Sequence, residues 1–335
     1  MEARLGSQNL IQNLIMGEAN FWPSRVILTA AELDVFTHLD GGPLTGLDLA
    51  HRIGSDPRAT DRLLNALVAI GLLEKRENLF ALSEDGTFLS SRHPATMLPV
   101  LLHFNDLWES WSQLTTVVRE GRPAKRTGRG MDDGSRKAFI GAMDSAGREL
   151  SLKIADAFDA ARFRRLLDIG GGSGTFTVAF LRKNTQMTGV LFDLPPVIAL
   201  AREKLKAEGL MDRVVLMPGD YNRDALPPGC DLALLSAVIH SNSLSENLDL
   251  FTKIHKVLEP GGVLLIRDFI MDPTRTIPKR GTLFALNMLV NTVAGDTYTF
   301  DEISENLTTA GFNDVDLLRG NNEQDDLVKA SKKPE

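Results

Sequence analysis

The sequence has a single cysteine, Cys230, in 335 residues, so no disulfide can close within the chain and a reducing compartment is expected. No window approaches the roughly 18 consecutive apolar residues of a membrane-spanning helix, so no membrane partner is expected. The opening stretch MEARLGSQNLIQNLIMGEAN lacks both a basic start and a continuous apolar run, so no signal peptide is read and a cytoplasmic location is expected. Positive charge is not in excess. The formal net charge of −7 gives no bulk attraction to nucleic acid or to an anionic surface. Internal repeats and low-complexity segments are absent too. What remains is an ordinary globular composition, 43% hydrophobic and 24% charged, in a chain long enough for one large domain and a smaller one.

The two halves of the chain read differently. Up to about residue 100 the pattern is helical. SRVILTAAELDVFTHL carries Val26, Ile27, Ala30, Leu33 and Phe36 at helix spacing and ends at Gly41-Gly42-Pro43. TGLDLAHRIG and DPRATDRLLNALVAIG follow as two helices, the second with Asp56 as N-cap and Pro57 in its first turn. LLEKRENLFALSEDG then puts two short apolar arms around Arg76-Glu77-Asn78, the signature of a hairpin. Helix, helix, hairpin is the order of a winged helix-turn-helix. Residues 101–160 read as a mostly helical connector, interrupted by GRPAKRTGRGMDDGS, a local basic run read as a solvated loop.

From Arg164 onward apolar strands alternate with helices. RLLDI, TGVLFDL, RVVLMPGD, CDLALLSAV and GGVLLIRDF are the strand candidates, and PPVIALAREKLKAEG and SENLDLFTKIHKVLEP are among the helices between them. Near-continuous apolar strands with helical crossovers imply a parallel sheet covered on both faces. FNDVDLLRG and DDLVKASK, around a polar turn, predict a terminal antiparallel hairpin.

In RRLLDIGGGSGTF, Gly170, Gly171, Gly172 and Gly174 follow the first of these strands. Glycine is required where a Cβ would block a ligand or forbid the backbone angle, and a strand-loop-helix unit of this kind presents backbone N–H groups to a ligand. A dinucleotide fingerprint starting at Gly170 would place its last small residue at 175, where Thr175 stands. Asp168, inside the strand, is awkward beside a pyrophosphate and suits a ligand carrying an ammonium group. Asp193 ends the next strand, where a carboxylate accepts ribose hydroxyls, and Asp220 ends the one after, within reach of an exocyclic amine. Three carboxylates at successive strand ends fit a cationic adenosine, S-adenosylmethionine.

On LLDIGGGSGTF, DLPPVI, PGDY, IHSNSLSEN, LEPGGVLLIRDF, NMLV and TFDEISENLTTAGF, residues 160–335 resemble the class I methyltransferase fold. With SRVILTAAELDVF and GLLEKRENLFALSEDG, the whole chain resembles the small-molecule O-methyltransferases that carry an N-terminal winged-helix dimerisation domain. The resemblance implies an α/β fold: a Rossmann-like sheet with a C-terminal antiparallel hairpin over residues 101–335, and a mostly helical winged-helix domain over 1–100. It implies a homodimer. It implies that Asp168, Gly170 and Gly172 frame the methionine end of S-adenosylmethionine, Asp193 holds the ribose, Asp220 and Tyr221 flank the adenine, and Ser236 lies along the wall. His240, read as the end of the strand LALLSAVIH, would take the proton from a substrate hydroxyl, with Asp268 orienting it. The acceptor is then a hydroxyl of a small, aromatic metabolite of secondary metabolism. A sulfonium is already an activated methyl donor, so no metal is expected. Phe139 with Met143, and Met288 with Asn291, share helix faces that would line the substrate pocket, and Trp108 and Trp111 form a similar pair. His103, beside Phe104 and Trp108, would line that pocket or be structural, and His255 would face water. Arg267 would point to the opposite face from Asp268 or else pair with it.

The sequence departs from the family pattern at two places. The usual His-Asp-Trp is His240-Ser241-Asn242 here, and Thr297 stands where a late glutamate normally supports the base, with Asp296 adjacent. A nitrogen or carbon acceptor in place of oxygen, and a non-catalytic cofactor-binding regulator, therefore stay open as alternatives. A DNA-binding regulator and a nicotinamide dehydrogenase are disfavoured, the first because Asp56 and Asp61 offset Arg58 and Arg62 on the would-be recognition helix, the second by Asp168 and Thr175. The helices of the first domain should instead bury apolar faces across a two-fold axis. The purified protein is expected to elute from a sizing column as a dimer and to leave duplex DNA unshifted in a gel; a DNA-shifting monomer would contradict the reading.

Overall fold

The computed structural model describes residues 21–124, 133–319 and 326–334. The chain divides into two compact units. The first holds the described residues up to Glu109 and helix residues through Ser145; the second holds Ser110 to Ala124 and everything described from Ala146 onward. The contact boundary therefore falls later than the break expected near residue 100, and the long helix of the connector contributes to both units. Most of the basic run GRPAKRTGRGMDDGS lies outside the described residues, as does MEARLGSQNLIQNLIMGEAN.

The first unit opens with α1 (Phe21–Glu32) and α2 (Val35–Leu39), then β1 (Leu44–Thr45), α3 (Gly46–Ile53), α4 (Pro57–Ile70), β2 (Leu73–Arg76), β3 (Leu79–Leu82) and the short α5 (Glu84–Thr87). The single helix expected over SRVILTAAELDVFTHL is broken: Asp34 takes a left-handed conformation, φ 53°, and splits it into α1 and α2. Both sides of the break are buried, through Ala30, Val35 and Phe36, so packing overrides the helical periodicity. The remaining signals appear as read. Asp56 caps α4 by accepting from the Ala59 N–H, and Gly71, φ 90°, ends it. The β2–β3 hairpin, joined by β1 on its edge, forms the wing. Leu49, Leu64, Leu67 and Phe80 close the core of this unit. The connector helices are α6 (Leu98–Ser112), α7 (Leu114–Glu120) and α8 (Asp133–Ala157).

The second unit alternates β4 (Arg165–Ile169), α9 (Thr175–Lys183), β5 (Thr188–Asp193), α10 (Pro195–Ala207), β6 (Val214–Pro218), β7 (Cys230–Ser236), α11 (Leu244–Val257) and β8 (Leu258–Arg267). It continues with β9 (Ile270–Met271), α12 (Lys279–Asn291), β10 (Tyr298–Thr299), α13 (Phe300–Thr309), β11 (Asn313–Arg319) and β12 (Leu327–Ser331). The main sheet has seven strands in the order β11-β12-β8-β7-β4-β5-β6. Strands β4 to β8 are parallel, and β11 and β12 close one edge as the expected antiparallel hairpin. The order reverses at β4, which has β5 on one side and β7 on the other. In open α/β sheets a ligand crevice forms at the carboxyl edge of such a point.

Alternating side chains build two cores. Leu167, Ile169, Ala233, Leu235, Leu264 and Ile266 face α11 and α13, while Leu166, Leu232, Leu234 and Leu265 face α9, α10 and the end of α8. Cys230 is wholly buried, and burial pushes its thiol up to about 11, which leaves it an inert core group. Leu234 is fully buried on the central strand β7. Leu234→Ala is expected to lower stability by about 2–5 kcal/mol, seen as a lower urea midpoint with an unchanged slope.

Candidate active site

After β4 the chain turns through Gly170, Gly172 and Gly174, with φ of 68°, 58° and 87°, a left-handed series that side chains resist. A Cβ at Gly170 would lie 3.0 Å from Val238 Cγ2, whereas a Cβ at Gly172 would meet nothing within 4 Å. The bend is therefore packed on one side and open on the other. Asp193, at the end of β5, is bound into it: Oδ2 accepts from the Gly172 N–H at 2.8 Å and Oδ1 from the Leu194 N–H at 2.7 Å. Burial raises the Asp193 carboxyl pKa against the opposing pull of those two donors.

Asp168 is placed differently from a direct ligand contact. It is 1% exposed, lies under the bend, and accepts from Thr177 Oγ1 at 2.6 Å. A Cβ at Gly171 would come within 3.0 Å of its Oδ2. Burial pushes its carboxyl up to about 6, the Asp193 charge adds to the rise, and Thr177 opposes it. Asp168 thus supports the loop from below.

Asp220 follows β6 and is a turn residue as well as a strand-end acid. Its Oδ1 accepts from the Asn222 N–H at 2.9 Å, and Oδ2 is 3.5 Å from exposed Arg223. Tyr221 is half-buried; its ring edge is next to the position a Gly170 Cβ would take, and burial pushes its hydroxyl up to about 12. Ser236 ends β7, and its Oγ accepts from Arg267 Nε and Nη2 at 3.1 and 2.8 Å.

His240 does not end the strand, as LALLSAVIH had suggested. β7 stops at Ser236. Ala237 adopts φ 58°, donates its N–H to the Arg267 carbonyl at 2.8 Å, and turns the chain into a single 3-10 turn, Ile239–Ser241. That turn is fixed from three sides. Asn247 Nδ2 donates to the Ile239 carbonyl at 2.9 Å, Asn242 Nδ2 donates to Asn247 Oδ1 at 3.1 Å, and the Tyr298 hydroxyl donates to the Asn242 carbonyl. The result is a ring whose Nδ1 stands 2.8 and 3.0 Å from the two Asp268 oxygens. Asp268 is 2% exposed, and one oxygen also accepts from the Phe269 N–H at 2.9 Å. Burial works to raise its carboxyl, but the imidazole, that amide and Arg267 outweigh it and hold it below the usual carboxylate range. An anionic carboxylate only accepts, so Nδ1 carries the proton and Nε2 has the free lone pair. Of the two expectations for Arg267, the structure follows the first: the guanidinium goes to Ser236, and Asp268 is left to the histidine.

Sequence reasoning missed Phe284, on α12, whose ring meets His240 edge-on at 4.8 Å. Its i+3 and i+4 neighbours, Asn287 and Met288, were the available signal. Asn287 Oδ1 accepts from the Trp111 indole N–H at 2.9 Å and from Asn291 Nδ2 at 3.1 Å; Met288 is buried. Trp108, in the first unit, instead packs with Phe21 and Arg25. Phe139, also in the first unit, lies against His103 at 5.2 Å, and Met143 is 40% exposed. His255 does not simply face water: it is half-buried edge-on against Phe312 at 5.0 Å. The late segment offers the base no second carboxylate among the described residues. Thr297 is buried, and Asp296 pairs with Arg275 at 3.6 Å.

Residues 111–313 match the O-methyltransferase domain, and residues 18–92 match the O-methyltransferase dimerisation domain. The chain belongs to the O-methyltransferase family. It is 32% identical over 303 residues to the tetracenomycin polyketide synthesis 8-O-methyl transferase TcmO of Streptomyces glaucescens, covering 88% of this chain and 89% of that one. It is 33% identical over 307 residues to the 8-amino-8-demethylriboflavin N,N-dimethyltransferase of Streptomyces davaonensis, covering 87% of each. The crystal structure of human N-acetylserotonin methyltransferase in complex with SAM superposes with a TM-score of 0.83 at 25% identity, covering 98% of both chains. The fold is that of the class I methyltransferases, and the chain is an enzyme of this family. Among the described residues no helix is long and apolar enough to cross a membrane.

The buried Asp168 has a measurable consequence. Its carboxyl sits at about 6 against an ordinary 3.8, so the folded protein holds a proton that the unfolded chain releases in that interval. Stability attributable to this group falls as pH rises from about 4 to about 6 and stays reduced above it. Asp168→Asn is expected to raise stability at pH 7.5 by on the order of 2–3 kcal/mol and to flatten that pH dependence, measured by urea unfolding at pH 5 and 7.5.

Proposed function

We propose that the enzyme transfers a methyl group from S-adenosylmethionine to a hydroxyl of a small aromatic metabolite of secondary metabolism, with His240 as general base. The observation that carries the reading is the His240–Asp268 pair, with His240 two residues beyond the Val238 that faces Gly170 of the bend. The chain fits the donor. The bend leaves open space at Gly172, where a Cβ would intrude, and Asp193 is bound to the same bend with acceptor capacity for ribose hydroxyls. Gly170 would frame the methionine end, with Asp168 supporting the bend from below. Asp220 and Tyr221 would flank the adenine, and Ser236 the methionine end. When bound, the donor supplies a methyl group already activated by its sulfonium charge.

The residues of the chain supply the rest. Asp268 fixes the tautomer that leaves Nε2 free, and Phe284 fixes the plane of the ring. Nε2 takes the proton of the acceptor hydroxyl as the oxygen becomes nucleophilic, and the imidazolium so formed is balanced by the carboxylate at Nδ1. Holding the acceptor in line provides much of the rate, since effective molarities reach roughly 10⁵–10⁸ M. An aromatic acceptor is supported by the adjoining rings: Phe284 is 4.9 Å from Phe269 and stands over His240. Met288 and Asn291 on α12 extend that wall; Phe139 and Met143, expected as pocket residues from their spacing, lie in the first unit. The dimerisation domain supports a homodimer.

A second reading takes a nitrogen acceptor. It is favoured by the similarity to an N,N-dimethyltransferase and by Thr297 in place of a supporting carboxylate. His240→Ala is expected to lower kcat on phenolic acceptors by about 10²–10⁴, and Asp268→Asn by a smaller factor, with donor affinity unchanged in both. Turnover of a phenol panel with labelled donor measures this. Undiminished turnover in His240→Ala would leave positioning alone as the mechanism, and activity confined to arylamines would favour the second reading.

A further inference from the structure

Arg267 is the one lysine or arginine that is buried among the described residues, 6% exposed at the carboxyl end of β8. A guanidinium has five N–H donors. Here Nε and Nη2 converge on a single acceptor, Ser236 Oγ, and among the described residues no other atom accepts from the group. Asp268 is adjacent in sequence but occupied by His240 and the Phe269 N–H, and consecutive strand residues point to opposite faces. The guanidinium lies over the Phe176 ring, 5.2 Å from its centre, and Phe176 is the second residue of α9. Nη1, which takes no part in the bonds to Ser236, is not among the sealed polar atoms without partners, so it opens on accessible space. A deeply placed cation with spare donors at an accessible edge is costly unless an anion completes it.

Resting on the donor reading above, we propose that Arg267, the Ser236 hydroxyl and the first turn of α9 form a carboxylate-binding site, and that its ligand is the α-carboxylate of the donor's methionine tail. A carboxylate matches the planar fork of a guanidinium with two parallel hydrogen bonds. Ser236, whose oxygen accepts from Arg267, has its own hydrogen left to donate. The positive end of α9 adds attraction for an anion. Position selects the source of the carboxylate. Arg267, Ser236 and Asp168 follow Leu265, Leu234 and Leu166 on the α9 face of the sheet, and β7 alone separates β8 from the strand that carries the glycine bend. The His240–Asp268 pair, where an acceptor would lie, belongs to the other face.

Titration calorimetry with S-adenosylhomocysteine and with 5′-methylthioadenosine, which keeps the thionucleoside but lacks the amino-acid tail, tests the site without turnover. The wild type is expected to bind the first about 10- to 100-fold more tightly. Arg267→Met should bring that ratio close to one while leaving 5′-methylthioadenosine binding unchanged, which also reports an intact fold. Arg267→Lys, with charge but no fork, should fall between and serves if the methionine variant does not fold. An unchanged ratio in the lysine and methionine variants would overturn the proposal. So would an effect confined to the KM of carboxylated acceptors, which would move the anion to the acceptor. A wild type that binds both nucleosides equally removes only the carboxylate site; one that binds neither removes the donor reading with it.

Discussion

The parallel pairing of β7 with β8 governs the chemistry of this protein. It sets Ser236 opposite Arg267, and the Ala237 N–H on the Arg267 carbonyl extends the pairing one step past the strand. Because strand side chains alternate, the last residue of β8 and the one that follows it serve opposite faces: Arg267 joins Ser236 and Phe176, and Asp268 joins His240. A slip of one residue would exchange them and place a guanidinium against the imidazole. The apolar alternation of Leu264, Leu265 and Ile266, divided between two cores, makes such a slip expensive. Burial on both faces therefore fixes the register, and the register fixes the proton-handling pair.

Much of this was legible in the sequence because it rests on local rules. The glycine bend, the strand-end acids, the capped helix at Asp56 and the hairpin wing are each set by a few adjacent residues and the backbone angles those residues permit. The meeting of His240 with Asp268 was expected from the family resemblance and not from such local rules. What escaped depends on side chains meeting across the chain. The break at Asp34 lies inside a helical period and is imposed by packing. The end of β7 is set by the left-handed Ala237, a conformation no alanine advertises. Phe284 reaches His240 from a helix more than forty positions later. His255 reads as a surface residue on its own helix and is covered by Phe312 from the connection that follows α13.

The electrostatics of the site follow one pattern: acids are held where water is scarce and each has a designated donor. Asp193 answers to the Gly172 and Leu194 amides, Asp168 to Thr177, and Asp268 to His240 and the Phe269 amide. The outcomes differ because the donors differ in charge. A hydroxyl leaves Asp168 raised, while an imidazole and a nearby guanidinium keep Asp268 ionised. The same residue type thus serves as a scaffold in one place and as the partner of a base in another.

Gly295 carries a consequence for how this pocket can change over time. A Cβ there would lie 2.4 Å from the His240 carbonyl oxygen and 2.6 Å from Thr292 Oγ1, so backbone rests on backbone where the late segment crosses the histidine turn. No side chain of any size is admissible at that crossing without displacing the base. Diversification toward new acceptors is thereby channelled away from this crossing and onto side chains that do not bear on the histidine turn.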